Sequence, residues 1–204
     1  NEKFNTVIHS SDCQANLNLT LLSNQPLLIN RTKHKRIKSN FSFTSSTTGL
    51  SSHVKITNHL GLGADVNYVT EPNPQYNYSP IVLVNGQIGA RPWKGHQWIG
   101  FDTSRVVFEI TLPKRKKIDS IHLSFLESNG SWIYLPKSIQ IQKLNKRTKK
   151  TFRSKTINSE NVNINIGRRL KKIRFIIDNV EIIPDNYPGA GHTPWTFIDE
   201  IEFH

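Results

Sequence analysis

Hydrophobic and polar residues alternate along six segments of the chain, and this alternation predicts β-strands. The segments are VVFEITL (106–112), SIHLSFL (120–126), SIQIQKL (138–144), NVNINI (161–166), KIRFII (172–177) and WTFIDEIEF (195–203). Turn-forming sequences such as SNGS (128–131), NKRTKK (145–150) and PDNYPGAG (184–191) lie between them. No stretch keeps a helical period over three turns. The spacing predicts an all-β protein built on an antiparallel β-sandwich of the jelly-roll type.

Residues 1–65 have a different composition, rich in Ser, Thr and Asn, with short strand-like segments LLIN, IKSNFSF and HVKI. They predict a second, smaller β-domain, either complete or partial. The segment GLGADVNYVTEPNPQYNYSP (61–80) carries three prolines and several turn formers, so it is interpreted as a linker and entry loop. The predicted domains are therefore 1–65 and 66–204.

Composition narrows the class of protein. No apolar run approaches the roughly 18 to 20 residues that cross a bilayer, so we predict no membrane span. The first residues, NEKFNTVIHS, lack the apolar core of a signal peptide, and the chain contains no methionine. We therefore expect an excised or processed piece of a longer protein. The single cysteine, Cys13, allows no internal disulfide, and we interpret it as an incidental thiol.

The net charge of +12 has two interpretations: the protein binds an anionic partner, or the charge keeps the protein soluble. Residues 143–155, KLNKRTKKTFRSK, hold seven basic residues and no acid, and they lie between two strand-like stretches. They are interpreted as a hairpin tip that is either solvated or an anion-binding ribbon. Nucleic-acid binding would require aromatic residues among the basic ones, and Phe152 is the only aromatic residue there. We predict no nucleic-acid partner.

The sequence offers no catalytic motif. The eight histidines form no metal-binding pattern such as HExxH, and no G-x-x-x-x-G-K-[ST] sequence is present. Asp199 and Glu200 are adjacent on a predicted strand and point to opposite faces, which makes them a poor acid–base pair. Glycosidase carboxylates pair in space and leave no sequence pattern, so that alternative stays open. We predict no catalytic residue.

Aromatic residues cluster in or beside predicted turns, and loops gather at the ends of a β-sandwich. Aromatic faces with a few polar groups at their edge bind sugar rings, which makes these loops candidate ligand sites. Core packing is the competing interpretation. It is favoured for Trp195, which shares a strand face with Phe197 and Phe203, and it stays open for Trp98 and Trp132.

Three of these segments together resemble a known family. YSPIVLVNGQIGARPWKGHQWIGFD, FLESNGSWIYLPKSIQI and PDNYPGAGHTPWTFIDEI resemble the C-terminal discoidin-like module of bacterial β-N-acetylhexosaminidases. That module belongs to the coagulation-factor type C family, a jelly roll used by many carbohydrate-binding modules. The matching motifs are Leu83–Gly86, Trp98–Phe101, Gly130–Pro136 and Gly189–Ile201, and the resemblance covers about residues 66–204. Upstream, residues 21–56 look like the latter part of the small immunoglobulin-like domain that precedes this module.

The resemblance also implies a cation. Related type C modules hold a structural calcium between a Leu-Val-Asp-Gly loop and a glutamate near the C-terminus. Here Asn85 stands at the aspartate position and Glu200 at the matching glutamate, so the predicted calcium site has one carboxylate fewer. A second departure is Asn186-Tyr187, where the family often shows Trp-His; an aromatic residue is kept and the hydrogen-bonding partner changes.

The predicted function is a non-catalytic carbohydrate-binding or accessory region of a bacterial glycoside hydrolase that is secreted, periplasmic or at the cell surface. Its partners would be carbohydrate and the catalytic domain of the parent chain, since no stretch resembles the catalytic barrel of the hexosaminidases. The alternatives are a structural domain that braces that barrel and a stand-alone adhesion module whose basic hairpin binds anionic polysaccharide. The candidate ligand-binding residues are Arg91, Trp93, His96, Trp98, Trp132, Asn186, Tyr187 and His192.

Overall fold

A computed structural model describes residues 2–10, 13–21, 28–30, 41–47, 50–91, 93, 96–144 and 149–204. Side chains are described from residue 57 onward, apart from those of 149 and 150. The chain divides into two compact units, Asn1–Lys38 and Ser39–His204.

The first unit contains three antiparallel strands in the order β1-β2-β3. Its strands are β1 (Glu2–Ser10), β2 (Cys13–Leu21) and β3 (Leu28–Asn30). Two further strands, β4 (Phe41–Thr47) and β5 (Leu50–Ile56), form a hairpin in the second unit, where β5 also pairs with β7 (Gln87–Ile88). The contacts thus divide the chain between residues 38 and 39. The immunoglobulin-like domain of residues 1–65 stays a prediction.

Seven strands of the second unit form its main sheet, in the order β11-β10-β12-β9-β13-β8 with β6 also paired to β9, all antiparallel. Short 3-10 helices cover Pro74–Tyr76, Pro80–Val84 and Asn129–Ser131. The six predicted strands are present, which confirms the all-β prediction. The bounds are β6 (Asp65–Tyr68), β8 (Ile99–Phe101), β9 (Arg105–Leu126), β10 (Ser138–Leu144), β11 (Lys149–Thr156), β12 (Asn161–Asp178) and β13 (Thr196–Phe203).

Strands β9 and β12 each join two segments that the sequence predicts as separate strands. They form one long antiparallel ribbon, from Arg105 opposite Asp178 to Ser124 opposite Asn161. The register slips twice in β12, between residues 165 and 168 and between 170 and 172. Such bulges bend a ribbon. The first half of β9 pairs with β6 and the second half with β13, so one bent ribbon contributes to both layers of the sandwich.

The core lies between the two halves of this ribbon. Alternate residues of the first half of β9, Val106, Phe108 and Ile110, are fully buried, and the second half buries residues 121, 123 and 125 in the same way. Phe175 of β12 stacks on Phe108 at 5.1 Å and meets Phe203 of β13 edge-on at 6.4 Å. Each such side chain stabilises the fold by roughly 1.5–3 kcal/mol. Two loops, 127–137 and 179–195, leave the ends of this ribbon and carry much of the candidate site.

Candidate functional site

Trp132 adopts a backbone conformation that a tryptophan rarely takes. Its φ of 61° and ψ of 23° are left-handed, and it is the one non-glycine residue with positive φ among the described residues. Its N–H donates to the Asn129 carbonyl at 3.0 Å, and its own carbonyl accepts the Trp195 N–H at 2.7 Å. This conformation costs a bulky residue about 1–2 kcal/mol, and such strain clusters at functional sites. It places the indole at the surface, 38% exposed.

The indole of Trp132 stacks on the imidazole of His192 from the other loop, with ring centroids 4.8 Å apart and an interplanar angle of 15°. Gly189 approaches the same indole. A Cβ atom at position 189 would lie 2.4 Å from Nε1 of Trp132, and Gly189 has a φ of +85°. Position 189 therefore requires glycine both for the space beside the indole and for its backbone conformation.

A second contact joins the two loops beside this stack. The rings of Tyr134 and Tyr187 meet edge-on at 6.1 Å, and the Tyr134 hydroxyl donates to the Pro188 carbonyl at 3.4 Å. Tyr187 is 49% exposed, and the neighbouring Asn186 is exposed as well. The structure thus stacks the predicted residues Trp132 and His192 on each other, and it sets Tyr187, with Asn186 next to it in the chain, against Tyr134 of the same loop as Trp132. We call Trp132, Tyr187 and His192 the aromatic patch.

Two other predicted residues pack inward. Trp98 is 3% exposed, its indole N–H donates to the Ala90 carbonyl at 2.9 Å, and it belongs to a cluster with Leu126, Ile133 and Phe197. Trp93 is half-buried against the same cluster. Trp98 presents no free face to a sugar, because burial of the ring leaves it no contact with solvent. The core interpretation that the sequence left open for Trp98 is the one its position supports.

Packing also accounts for Trp195. It is half-buried, contacts the cluster of Trp98 and meets Tyr76 edge-on at 5.3 Å. The packing interpretation favoured for Trp195 is confirmed.

Arg91 and His96 lie apart from the aromatic patch. The Arg91 guanidinium pairs with the Glu160 carboxylate, which also accepts the Glu127 N–H at 2.8 Å. The His96 ring meets Tyr78 edge-on at 4.4 Å. No hydrogen bond or ring contact among the described residues joins either side chain to the patch. Both stay predictions as ligand contacts.

The predicted calcium position is occupied by protein hydrogen bonds. Glu200 is 1% exposed; its Oε1 accepts from Nε2 of His59 at 2.8 Å and its Oε2 accepts the Gly86 N–H at 2.9 Å. Nδ1 of His59 accepts the N–H groups of Gly61 and Phe203, so the ring proton lies on Nε2 and points at Glu200. Burial raises the pKa of Glu200 well above its usual value.

These residues do not fit a calcium ion as they are arranged. Oδ1 of Asn85 accepts the Gln87 N–H at 2.8 Å, and both oxygens of Glu200 are already engaged. In the described part of the chain, no group of three or more His, Cys, Asp or Glu side chains converges in a way that could hold a metal. Calcium requires six to eight oxygen ligands. Calcium binding here would require these hydrogen bonds to be exchanged for metal bonds, and it stays a prediction.

A polar groove, which the sequence did not indicate, lies where residues 137, 179 and 181 of these loops meet the start of β9 and the end of β12. It is a cavity of about 410 Å³ lined by Ser104, Arg105, Lys137, Asp178, Asn179 and Glu181. Arg105 pairs with Asp178 at 2.7 Å, and Lys137 approaches Glu181 at 3.9 Å. Nδ2 of the buried Asn179 donates to the Thr103 carbonyl at 2.7 Å, while its Oδ1 has no hydrogen-bond partner among the residues that the structure describes. Single polar residues at strand ends give no sequence pattern, so only the fold could reveal this groove.

The sequence matches no protein-family model and no curated protein significantly. The fold does have solved counterparts. A Streptococcus pneumoniae fucose binding module, SpX-3, is similar over 72% of this chain and 97% of its own, with a TM-score of 0.51 and 14% identity. A second fucose binding module from the same organism covers 72% and 94%, with a TM-score of 0.50 and 14% identity.

The lectin domain of lectinolysin, solved in complex with Lewis B antigen, is similar over 73% of this chain and 97% of its own, with a TM-score of 0.51 and 9% identity. At these identities the likeness concerns the fold. The second unit therefore has the fold of these domains, the discoidin-like β-sandwich that the sequence predicted. None of the helices in the described residues has the length and apolar character needed to cross a membrane.

Proposed function

We propose that this chain is a non-catalytic carbohydrate-binding module and that the aromatic patch is its binding surface. The observation that carries the proposal is the conformation of Trp132, whose strained backbone holds a partly exposed indole against His192 and Gly189. A core residue gains nothing from such a conformation, whereas a binding site gains a preorganised aromatic platform. The similarity of the fold to fucose binding modules and a lectin domain supports the same function.

The chemistry of the surface suits a sugar ring. The apolar face of a pyranose packs against an indole or a phenol ring, and polar groups at the edge of the platform hydrogen-bond its hydroxyls. Here Trp132 and Tyr187 supply exposed aromatic surface, while Asn186 and His192 supply polar atoms beside it. The polar groove, to which Lys137 and Glu181 of these loops contribute, is the place we propose for a further sugar unit of an oligosaccharide.

We further propose that the chain is an accessory region of a secreted, periplasmic or surface glycoside hydrolase of bacterial origin, with a β-N-acetylhexosaminidase-like parent. The motifs from Leu83 to Ile201 that resemble the hexosaminidase module support this assignment. One shallow site binds sugar weakly, because little surface is buried against the cost of ordering the ligand. Attachment to an enzyme makes such weak binding useful by raising the local substrate concentration.

Titration with glycans tests the binding function. The panel should include fucose, the Lewis b oligosaccharide and N-acetylglucosamine-terminated glycans, with binding followed by calorimetry and by the NMR signals of the indole N–H groups. We expect Trp132→Ala and Tyr187→Ala to abolish binding to the glycan that the unmodified chain recognises. Val69→Ala is the control, because it also shortens an exposed apolar side chain. Val69 is 54% exposed and directly follows β6, outside the two loops of the patch. Binding that survives both aromatic substitutions, or no binding to any glycan, would overturn the proposal.

One observation favours a second function, the bracing of a catalytic domain. Ile182 is 61% exposed on the same loop as Tyr187, and exposed apolar side chains in one loop suit an interface between domains. In a parent enzyme, Ile182→Ala would then lower the melting temperature without changing glycan affinity. Under the binding function, Ile182→Ala leaves the melting temperature of the parent unchanged.

A further inference from the structure

Basic residues converge where the β9–β12 ribbon bends. Lys114–Lys117 of β9 lie beside Arg168–Lys172 of β12, and the register sets Lys117 opposite Arg169 and Lys116 opposite Leu170. We call these two segments the basic bend. Its inner side is apolar, since Leu112, Ile118 and Leu170 are fully buried. Its outer side is exposed at Lys114, Arg115, Lys117, Arg168, Arg169, Lys171 and Lys172.

Positive charge at the basic bend exceeds what the protein neutralises. Residues 109–119 and 168–174 hold nine basic side chains and two acids, Glu109 and Asp119. Glu109 pairs with Lys172 and Arg174, and Asp119 pairs with Lys117 at 2.8 Å. No ion pair within the described residues engages the remaining exposed or half-buried cations, Lys114, Arg115, Lys116, Arg168, Arg169 and Lys171. Like charges that face each other across a strand pair destabilise it, and Arg169 faces Lys117, whose charge Asp119 partly offsets.

At the loop end of the ribbon, in contrast, three cations form ion pairs with acidic residues. Arg91 pairs with Glu160, Arg105 with Asp178, and Lys137 with Glu181. At the bend, six cations have no acidic partner among the described residues, and the same holds for Lys143, Arg153 and Lys155 on β10 and β11. The apolar inner residues of the bend supply its packing, so the folded state does not require this charge. Binding of an external anion would offset this repulsion and would explain why the charges lie together on one surface.

We propose that the basic bend binds a linear anionic polysaccharide, one that carries carboxylate or sulfate groups along its chain. The exposed cations lie within two short segments of adjacent strands that the register sets beside each other, so a single extended polymer can reach them together. Single-stranded nucleic acid fits less well, because its bases are held by stacking on exposed aromatic rings. The aromatic ring beside these cations, Phe152, is half-buried, and the Arg168 guanidinium lies over it at 5.2 Å. No large hydrophobic side chain is exposed among the bend residues for insertion into a lipid surface.

This site is separate from the aromatic patch. The strands of the ribbon run from the bend to the loops that carry Trp132 and His192, and no residue is shared between the two surfaces. The proposal stands without the function proposed for the patch. Trp132→Ala should leave polyanion binding unchanged.

Binding to heparin and to polygalacturonate, measured by calorimetry over a series of NaCl concentrations, tests the proposal. The bend variant replaces four cations with glutamine: Lys114→Gln, Arg115→Gln, Lys116→Gln and Arg169→Gln. A charge control makes the same change in net charge at four exposed cations outside the bend: Arg91→Gln, Arg105→Gln, Lys137→Gln and Lys155→Gln. A hairpin variant changes the run identified from the sequence: Lys146→Gln, Arg147→Gln, Lys149→Gln and Lys150→Gln.

We expect the bend variant to bind at least one of the two polyanions about tenfold or more weakly at low ionic strength, while the charge control changes by less than about twofold. Affinity of the unmodified chain should fall steeply with salt. The melting temperature of the bend variant should be unchanged or higher, because like charges are removed, and this separates lost binding from lost folding.

Four results would overturn the proposal. They are no binding of the unmodified chain to either polyanion at low salt, an equal loss in the charge control, a loss confined to the hairpin variant, and tighter, equally bend-dependent binding to double-stranded DNA or to phosphatidylserine vesicles. The last result would assign the surface to nucleic acid or to a membrane instead.

Discussion

Trp132 and His192 lie in different loops, yet their rings stack nearly parallel with centroids 4.8 Å apart. Two further hydrogen bonds connect the loops. The Trp195 N–H donates to the Trp132 carbonyl, and the Tyr134 hydroxyl donates to the Pro188 carbonyl. The stacked pair of Trp132 and His192 therefore depends on the conformation of both loops. A change in either loop should affect binding even where no ligand atom touches the altered residue.

Gly189→Ala tests this dependence. Its methyl group would meet the Trp132 indole at 2.4 Å and would also strain a backbone with φ of +85°. We expect a loss of stability of about 2–3 kcal/mol and loss of glycan binding, measured by chemical denaturation and calorimetry.

The matched control for this substitution is Gly191→Ala. Gly191 has a φ of +81° in the same loop, but nothing lies within 4 Å of its added methyl group. It should lose only about 1 kcal/mol, from backbone strain, and keep its affinity. Equal effects of the two substitutions would show that Trp132 is not held by the contact with Gly189.

Trp132→Gly and Trp132→Ala should separate stability from binding. Both remove the indole, so both should abolish glycan affinity. Glycine adopts φ of 61° without strain whereas alanine does not, so the glycine variant should unfold at a free energy about 1 kcal/mol higher than the alanine variant. Urea denaturation of the pair measures this difference. An alanine variant as stable as the glycine variant would indicate that residue 132 leaves the left-handed region once the ring is removed.

Added Ca²⁺ tests the cation site that the sequence predicts. Because His59 and Gly86 already engage both oxygens of Glu200, neither added Ca²⁺ nor a chelator should shift the melting temperature. His59→Ala should instead destabilise the protein by about 3 kcal/mol, since it removes the donor to a buried carboxylate. A melting temperature that rises with Ca²⁺ concentration would establish the predicted calcium site and show that the hydrogen bonds give way to it.

Glu109 should make stability depend on pH. Burial alone would raise its pKa, but hydrogen bonds and charge from Lys172 and Arg174 hold the pKa below its usual value. A carboxyl group with a lowered folded pKa stabilises the protein above its unfolded pKa, and this stabilisation is lost as pH falls through the folded pKa. We expect Glu109→Gln to lose about 2 kcal/mol at neutral pH and to flatten the acid side of the stability curve.

Asp119→Asn is the control for that measurement. Its pair with Lys117 is exposed on both sides, so neither stability nor its pH dependence should change appreciably. If the two substitutions gave the same acid profile, the buried position of Glu109 would not be the cause.

The sequence predicts all three residues of the aromatic patch as ligand candidates. Trp132, Tyr187 and His192 were identified because turn residues such as Gly130 and Gly189 surround them, and aromatic residues in turns lie at sandwich ends. The same reasoning failed to separate them from Trp98, which also lies beside a predicted turn. Burial depends on what packs against a ring from distant strands, here Leu126 and Phe197.

The hydrophobic pattern by itself determined the strands, the all-β class and the position of the loops, because alternation along a strand is a local property that needs no knowledge of neighbours. Only the tertiary structure decided the rest. It joined predicted strands into one bent ribbon, paired Lys117 with Arg169 across it and set His59 against Glu200. It also stacked Trp132 on His192. Each of these depends on contacts between residues far apart in the chain, and chain spacing carries no information about which distant residues will meet.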